Sequence, residues 1–129
     1  MRIPVRIYYE DTDCGGVVYY ANYLRYFERA RTEFLRERGV SLPELRDRGV
    51  VFVVRSVEVE YLCPCKYDDL LMLDTSLCAA TGATITFAHT IKKDGLDSEA
   101  VKGTVVLAAV GAEGKPARIP RELRAALCI

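Results

Sequence analysis

Ile3, Val5, Ile7 and Tyr9 alternate with Arg2, Pro4, Arg6 and Tyr8. A period of two predicts a strand with one buried face. Glu10-Asp11-Thr12-Asp13-Cys14-Gly15-Gly16 breaks the alternation as a polar, glycine-bearing loop. From about Val18 to Arg38 the period changes to three and four. Tyr20, Tyr23, Leu24, Phe27, Ala30, Phe34 and Leu35 recur on one side, and Asn22, Arg25, Arg29, Thr32, Glu33 and Arg36 fill the other. This predicts one long helix whose wide, aromatic stripe suits a position across a sheet, with Gly39 as its stop. Ser41-Leu42-Pro43-Glu44 combines a cap, a first-turn proline and a glutamate at the third helical position. It predicts a short second helix ending at Gly49.

The remainder reads mostly as strands. Val57, Val59 and Tyr61 alternate with Ser56, Glu58 and Glu60. Tyr67-Asp68-Asp69 is a turn, Leu70 to Leu77 a second apolar run, and Thr81-Gly82 another turn. Ile85, Phe87, His89 and Ile91 alternate with Thr84, Thr86, Ala88 and Thr90. Asp94-Gly95 is a hairpin signal, and Ala100 to Val110 is a long β-rich run interrupted at Gly103. Pro120 opens a short C-terminal helix that docks through Leu123 and Leu127. The predicted class is α+β, with one long helix facing a meander of antiparallel strands. Such a sheet leaves an edge or a face for a subunit partner to cover.

A chain of 129 residues is one domain, long enough for one core. Its 18 basic and 18 acidic side chains cancel, which argues against a general nucleic-acid coat or a polybasic membrane tether. No apolar run approaches the ~20 residues that span a bilayer. Residues 1–6 lead straight into alternating sequence, without the apolar core of a signal peptide. The five cysteines, an odd count, fit reduced thiols, and the expected location is cytoplasmic. Cys63-Pro64-Cys65 lacks both the two-residue spacing and the second pair of a zinc knuckle, so no metal and no cofactor are expected. The single histidine, His89, shares the parity of an apolar strand face, which favours a packed histidine over a catalytic one.

The densest chemistry lies between Tyr9 and Tyr20. Three carboxylates, Glu10, Asp11 and Asp13, stand at a strand-to-helix junction. Gly15 and Gly16 let a ligand approach the backbone. The helix that follows turns its unpaired N–H groups toward the same space and favours an anion there. A carboxylate base or nucleophile beside donors for a developing oxyanion is what acyl transfer needs. On residue chemistry alone Asp13 serves equally well as a helix cap.

Tyr8-Tyr9-Glu10-Asp11-Thr12-Asp13-x-Gly15-Gly16-Val17-Val18-Tyr19-x-x-x-Tyr23, continued by Tyr26-Phe27-Glu28-Arg29-Ala30-Arg31-Thr32-Glu33, resembles the signature of the hot-dog-fold acyl-CoA thioesterases. The branch most similar is the one associated with the tol-pal system, next to the 4-hydroxybenzoyl-CoA thioesterases. The likeness is dense over residues 3–38 and looser through Phe52-Val53-Val54-Arg55, Val59-Glu60-Tyr61 and Asp68-Asp69. It implies a hot-dog fold, a long central helix wrapped by a curved antiparallel sheet of about five strands, in a single domain over 1–129. It implies thioester hydrolysis with Asp13 as the catalytic carboxylate, acting as nucleophile or as base on water. The backbone N–H of Tyr20 then polarises the thioester oxygen, Gly16 and Val17 shape the turn between them, and Asn22 lines the site. The implied partners are an acyl-CoA substrate, with acyl carrier protein as the alternative carrier, and further copies of the chain in a dimer or homotetramer.

Two departures stand out. Tyr20 occupies a position where the tol-pal branch often has histidine, so only a backbone role carries over. Thr81-Gly82-Ala83-Thr84 lacks the basic residues that some relatives place there for coenzyme A phosphates, leaving Lys92, Lys93 and Arg118 as substitutes. Three other readings compete. A haloacid-dehalogenase-like phosphatase fits Asp11-Thr12-Asp13 but needs parallel βαβ strands. A non-catalytic acyl-binding or acyl-carrier-binding module fits the same fold. A hot-dog dehydratase would want a histidine in the site.

Overall fold

Seven side chains of the long helix turn into the core: Tyr23, Tyr26, Phe27, Ala30, Arg31, Phe34 and Leu35. Their three- and four-residue spacing makes one stripe, and the sheet supplies the surface that buries it. The computed structural model describes residues 1–129. Its strands are β1 (Arg2–Arg6), β2 (Val51–Tyr61), β3 (Leu70–Ala80), β4 (Thr84–Lys93) and β5 (Glu99–Val110). Its helices are α1 (Asn22–Glu37), α2 (Leu42–Asp47) and α3 (Arg121–Leu127). The strands form a single sheet in the order β1-β3-β4-β5-β2, and every pairing is antiparallel. This is the α+β architecture that the pattern predicted.

The predicted meander holds only for β3, β4 and β5. β2 does not pair with β3; it lies at the opposite edge, beside β5. The segment between β2 and β3 therefore crosses from the β2 edge past β5 and β4 to a place beside β1. Two register shifts explain why strand lengths were underestimated. The ladder slips between Val54 and Ser56 in β2 and between Leu77 and Ala79 in β3. A bulge inserts one residue and inverts the alternation beyond it, so β2 reaches back to Val51 and β3 forward to Ala80.

Gly103 does not interrupt β5. It pairs with Val59 on one side and His89 on the other, and the reason for glycine is space. A Cβ there would lie 2.6 Å from Phe27 Cε2. The C-terminal helix docks as predicted, through buried Leu123 and Leu127. α1 packs over β3 and β1, and its Phe27 and Phe34 reach His89 and Phe87 of β4. Val54 and Val57 share the inner face of β2 with its core-facing pairs Leu107 and Val105, yet both remain exposed.

Candidate active site

The loop between β1 and α1 is held at both of its ends. Ile7 still exchanges hydrogen bonds with the segment before β3: its N–H donates to Asp69 O at 2.9 Å, and its carbonyl accepts from Asp68 N at 2.9 Å. The strand then stops, and Tyr9–Asp11 close a single 3₁₀ turn. Asp11 Oδ2 accepts from Tyr8 N at 2.8 Å, so this carboxylate caps its own turn. Tyr9, predicted inside the strand, instead lies on the surface in a face-to-face stack with Tyr67, centroids 3.9 Å apart.

The next turn presents Asp13. Its N–H donates to Val17 O at 2.9 Å, and its carbonyl accepts from Gly16 N at 3.0 Å. Gly16 has φ +80°, a left-handed conformation that glycine adopts without steric cost. Val17 bridges to Lys66, and Val18 N donates to Cys65 O at 2.8 Å. Those bonds hold the chain in extended form, and α1 begins at Asn22 rather than Val18. The Asp13 side chain is exposed, and its Oδ1 accepts from Gly15 N at 2.8 Å.

The helix start supplies the donors. Tyr19 N and Asn22 Nδ2 both donate to Asp11 O, each at 2.9 Å. Asn22 thereby ties the first turn of α1 to the loop that carries Asp13. The backbone N–H groups of Tyr20 and Ala21 donate no hydrogen bond within the chain, which leaves them directed at a ligand or solvent. Tyr61 Oη donates to Tyr20 O at 3.2 Å and so fixes the peptide that carries the Ala21 N–H. Tyr19 is close enough to Asp13 to feel it: its phenol titrates above the ordinary value, chiefly through neighbouring Tyr20, with the Asp13 charge contributing. The structure thus gathers Asp13, Gly16, Val17, Tyr20 and Asn22 into one loop and helix start. Tyr61, from β2, is a member that the sequence reading missed, because only the crossover of β2 to the far edge brings it there.

His89 is packed away from this loop, as its parity predicted. It is 1% exposed, stacks on Phe27 with centroids 4.6 Å apart, and has both ring nitrogens engaged. Arg31 Nη1 lies 3.3 Å from Nε2, and Thr75 Oγ1 lies 3.0 Å from Nδ1. A guanidinium can only donate, so Nε2 accepts and Nδ1 carries the proton toward Thr75. Burial, with the Arg31 charge, pushes the His89 pKa down to about 3. The ring is neutral and serves as an acceptor for a buried arginine. Arg31 was also missed as a core residue, although it falls on the stripe of Phe27, Phe34 and Leu35.

The remaining candidates are dispersed. Lys93 approaches Asp69 at 3.7 Å. The Thr81–Thr84 turn, without a basic residue of its own, receives one from α3: Arg124 Nη1 donates to Thr81 O at 2.8 Å. All five cysteines are free, with Cys65 buried and the other four exposed. Nowhere do three His, Cys, Asp or Glu side chains converge in a geometry that would hold a metal ion.

Comparison with known proteins adds the family context. The model of the thioesterase-like superfamily matches residues 8–127. The acyl-CoA thioesterase YbgC of Haemophilus influenzae is 44% identical over 125 residues, which cover 95% of this chain and 90% of that protein. The acyl-CoA thioester hydrolase YbgC of Escherichia coli O6:H1 is 48% identical over 90 residues, 70% of this chain and 67% of the relative. The crystal structure of a probable thioesterase from Bartonella henselae superposes with a TM-score of 0.86 at 37% identity, covering 93% of this chain and 98% of that one.

Proposed function

The chain belongs to the thioesterase-like superfamily, and we propose that it hydrolyses acyl-CoA thioesters with Asp13 as the catalytic carboxylate and the Tyr20 backbone N–H as the oxyanion donor. The observation that carries this reading is the pairing of an exposed, loop-fixed carboxylate with backbone donors that no group in the chain accepts. The thioester carbonyl lies over the helix start. As charge develops on its oxygen, the donor and the positive end of α1 stabilise it in the transition state. Asp13 attacks the carbonyl carbon, forming an anhydride that water then hydrolyses, or takes a proton from a water that attacks instead. In both courses the carbon–sulfur bond breaks and coenzyme A leaves as its thiolate. Gly16 and Val17 set the distance between carboxylate and donor. Asn22 acts through Asp11 O as a positioning residue.

The expected assembly, a dimer or tetramer of identical chains, fits the exposed edge strand. β2 pairs on one side only, and Val53, Val54, Val57 and Tyr61 on it are exposed, as is Leu62 just beyond. A second copy laid along β2 would cover them and complete its backbone pairing. No helix is long and apolar enough to cross a membrane. The cytoplasmic location and the alternative carrier, acyl carrier protein, go with this reading.

The decisive experiment follows release of free acid over a panel of acyl-CoAs, for wild type and Asp13→Asn. Asparagine keeps the acceptor for Gly15 N, so the loop stays folded while the charge is lost. Turnover by wild type and a loss of at least about 10²-fold in the variant is the expected result. Equal rates would remove Asp13 from the mechanism. Wild type inert on every acyl-CoA, but binding acylated carrier protein, would convert the reading to the binding module. A single turnover in heavy-oxygen water tests the anhydride course: label in Asp13 requires water to attack the aspartyl carbon of an anhydride, whereas water activated by Asp13 leaves its oxygen in the product acid alone.

A further inference from the structure

One hydroxyl in the core has no partner. Tyr26 is 0% exposed, and its Oη alone among the buried side-chain nitrogen and oxygen atoms makes no hydrogen bond. The ring is fixed by its neighbours. Tyr23 meets it edge-on with centroids 5.9 Å apart, and the Arg29 guanidinium carbon lies 5.6 Å from its centroid. An unpaired phenol in such a place is costly, so the group beside it matters. That group is Asp11. Asp11 and Arg29 border one groove between β1 and α1, and Arg29 lies over the Tyr26 ring. Asn22 and Tyr26 are four residues apart, one above the other on a single face of α1, and Asn22 Nδ2 already bonds Asp11 O at 2.9 Å. Burial first, then the Asp11 carboxylate, hold the Tyr26 phenol above its ordinary value, with Arg29 acting against them and Cys65 with them. The phenol therefore keeps its proton and remains a donor. Asp11 has an oxygen to receive it. Its Oδ2 accepts from Tyr8 N at 2.8 Å, and its Oδ1 accepts no bond within the chain.

We propose that Tyr26 is a positioning residue for the thioester site: its O–H donates to the Asp11 carboxylate and so holds, from the core side, the turn that presents Asp13. The inference rests on the thioesterase reading above and adds a residue to it. The last torsion of an aspartate is broad, so the carboxylate turns toward the phenol at little cost, and the bond that forms is charge-assisted. Asp11 is the residue through which such a bond reaches the chemistry. Its carboxylate caps the 3₁₀ turn of Tyr9–Asp11, its carbonyl receives Tyr19 N and the Asn22 amide, and Asp13 follows two residues later. Asn22 grips the carbonyl and Tyr26 the carboxylate, from successive turns of one helix. The helix start that carries the Tyr20 N–H and the loop that carries Asp13 are thereby held as one piece. Without the phenol the Asp11 side chain keeps only Tyr8 N, and the distance between Asp13 and the Tyr20 donor loosens. Misplacement by about 1 Å costs up to about 10²-fold in rate, so a partial loosening costs less than that.

The test is Tyr26→Phe, which keeps the ring and its contacts with Tyr23 and Arg29 and removes only the oxygen. Its kcat on acyl-CoA is expected to fall about five- to tenfold with KM unchanged. Amide hydrogen exchange at Tyr8 and Tyr19, the two N–H groups that Asp11 accepts, should quicken by about tenfold, the lower end of what a bond to a charged group supplies. Exchange at Leu73 and Val105 in the sheet should stay as it is. On an Asp11→Ala background the same substitution should change neither kcat nor exchange at Tyr19, because the acceptor is gone. Tyr26→Phe with an unchanged kcat and a raised melting temperature would identify the hydroxyl as a true orphan and overturn the proposal. Equal losses on both backgrounds would also overturn it, as would exchange that quickens as much at Leu73 and Val105 as at Tyr19, the mark of a purely structural phenol. If Asp11→Ala does not fold, the single variant and its exchange pattern decide. Wild type inert on every thioester defeats the catalytic reading, and exchange at Tyr8 and Tyr19 then still decides whether Tyr26 holds the Asp11 turn.

Discussion

Gly15 donates its backbone N–H to Asp13 Oδ1 at 2.8 Å, and a Cβ on Gly15 would stand 3.2 Å from the same oxygen. The glycine therefore both holds the carboxylate and leaves it room. Its backbone is not left-handed, so alanine is tolerated conformationally and acts only by pushing Asp13 aside by a few tenths of an ångström. Displacements of this size are costly where reacting atoms must align. Gly15→Ala is expected to lower kcat roughly tenfold with the melting temperature nearly unchanged. Steady-state kinetics beside a thermal melt checks it, and an unchanged kcat would detach Gly15 from the positioning of Asp13.

Asn22 reaches the site through the backbone. Its amide donates to Asp11 O at 2.9 Å, alongside the Tyr19 N–H. Removing it leaves the carbonyl one of its two donors and loosens the loop from the helix start. Asn22→Ala should cost about 1 kcal/mol of stability and act on kcat more than on KM. A side chain that touched substrate directly would instead raise KM. Separate determination of the two constants, with a urea melt, distinguishes them.

Gly103 and Phe27 are coupled by space. A Cβ on Gly103 would meet Phe27 Cε2 at 2.6 Å, Cζ at 2.9 Å and the Glu58 carbonyl oxygen at 3.2 Å. Phe27 cannot yield freely, because its ring is stacked on His89. Gly103→Ala is expected to destabilise the fold by about 1–3 kcal/mol through overpacking. The same change in a Phe27→Leu background should cost measurably less, a non-additivity that denaturant melts of the four proteins would reveal. Additive costs would mean that the strain lies at Glu58 O instead.

The helix stripe and the site loop were legible because both are local. Tyr23, Phe27, Phe34 and Leu35 announce α1 by their spacing, and Asp13 with Gly15 and Gly16 announces a tight turn before a helix. What could not be read depends on contacts distant in sequence. The helix start at Asn22 is set by the bond from Val18 N to Cys65 O, and nothing near Val18 encodes it. The place of β2 at the far edge brings Tyr61 to the Tyr20 carbonyl, and strand order leaves no periodic trace. Gly103 looked like a break because glycine weakens strands, whereas the cause was the ring of Phe27 on another element. Arg31 lay hidden among charged neighbours although its position on the stripe was visible.

His89 gives the fold a defined acid sensitivity. It is the only histidine in the chain, and burial first, then the Arg31 charge, hold its pKa at about 3 against an ordinary 6.5. Once unfolded, the same ring takes up a proton near its ordinary value. Between the two values the unfolded state binds more protons than the native state, so stability rises with pH across that window and falls as acid is added. The full contribution is present above about pH 6.5, and it is lost toward the native value at up to about 1.4 kcal/mol per pH unit. From pH 7.5 to pH 5 this amounts to about 2 kcal/mol, before most carboxylates begin to protonate. Urea unfolding of wild type over that range should show the loss. His89→Gln keeps an acceptor for Arg31 and a donor for Thr75 but does not titrate, so its stability should be lower at neutral pH and nearly flat. Parallel slopes for the two proteins would mean that His89 is charged in the native state, and the Nε2 acceptor role assigned to it would fall.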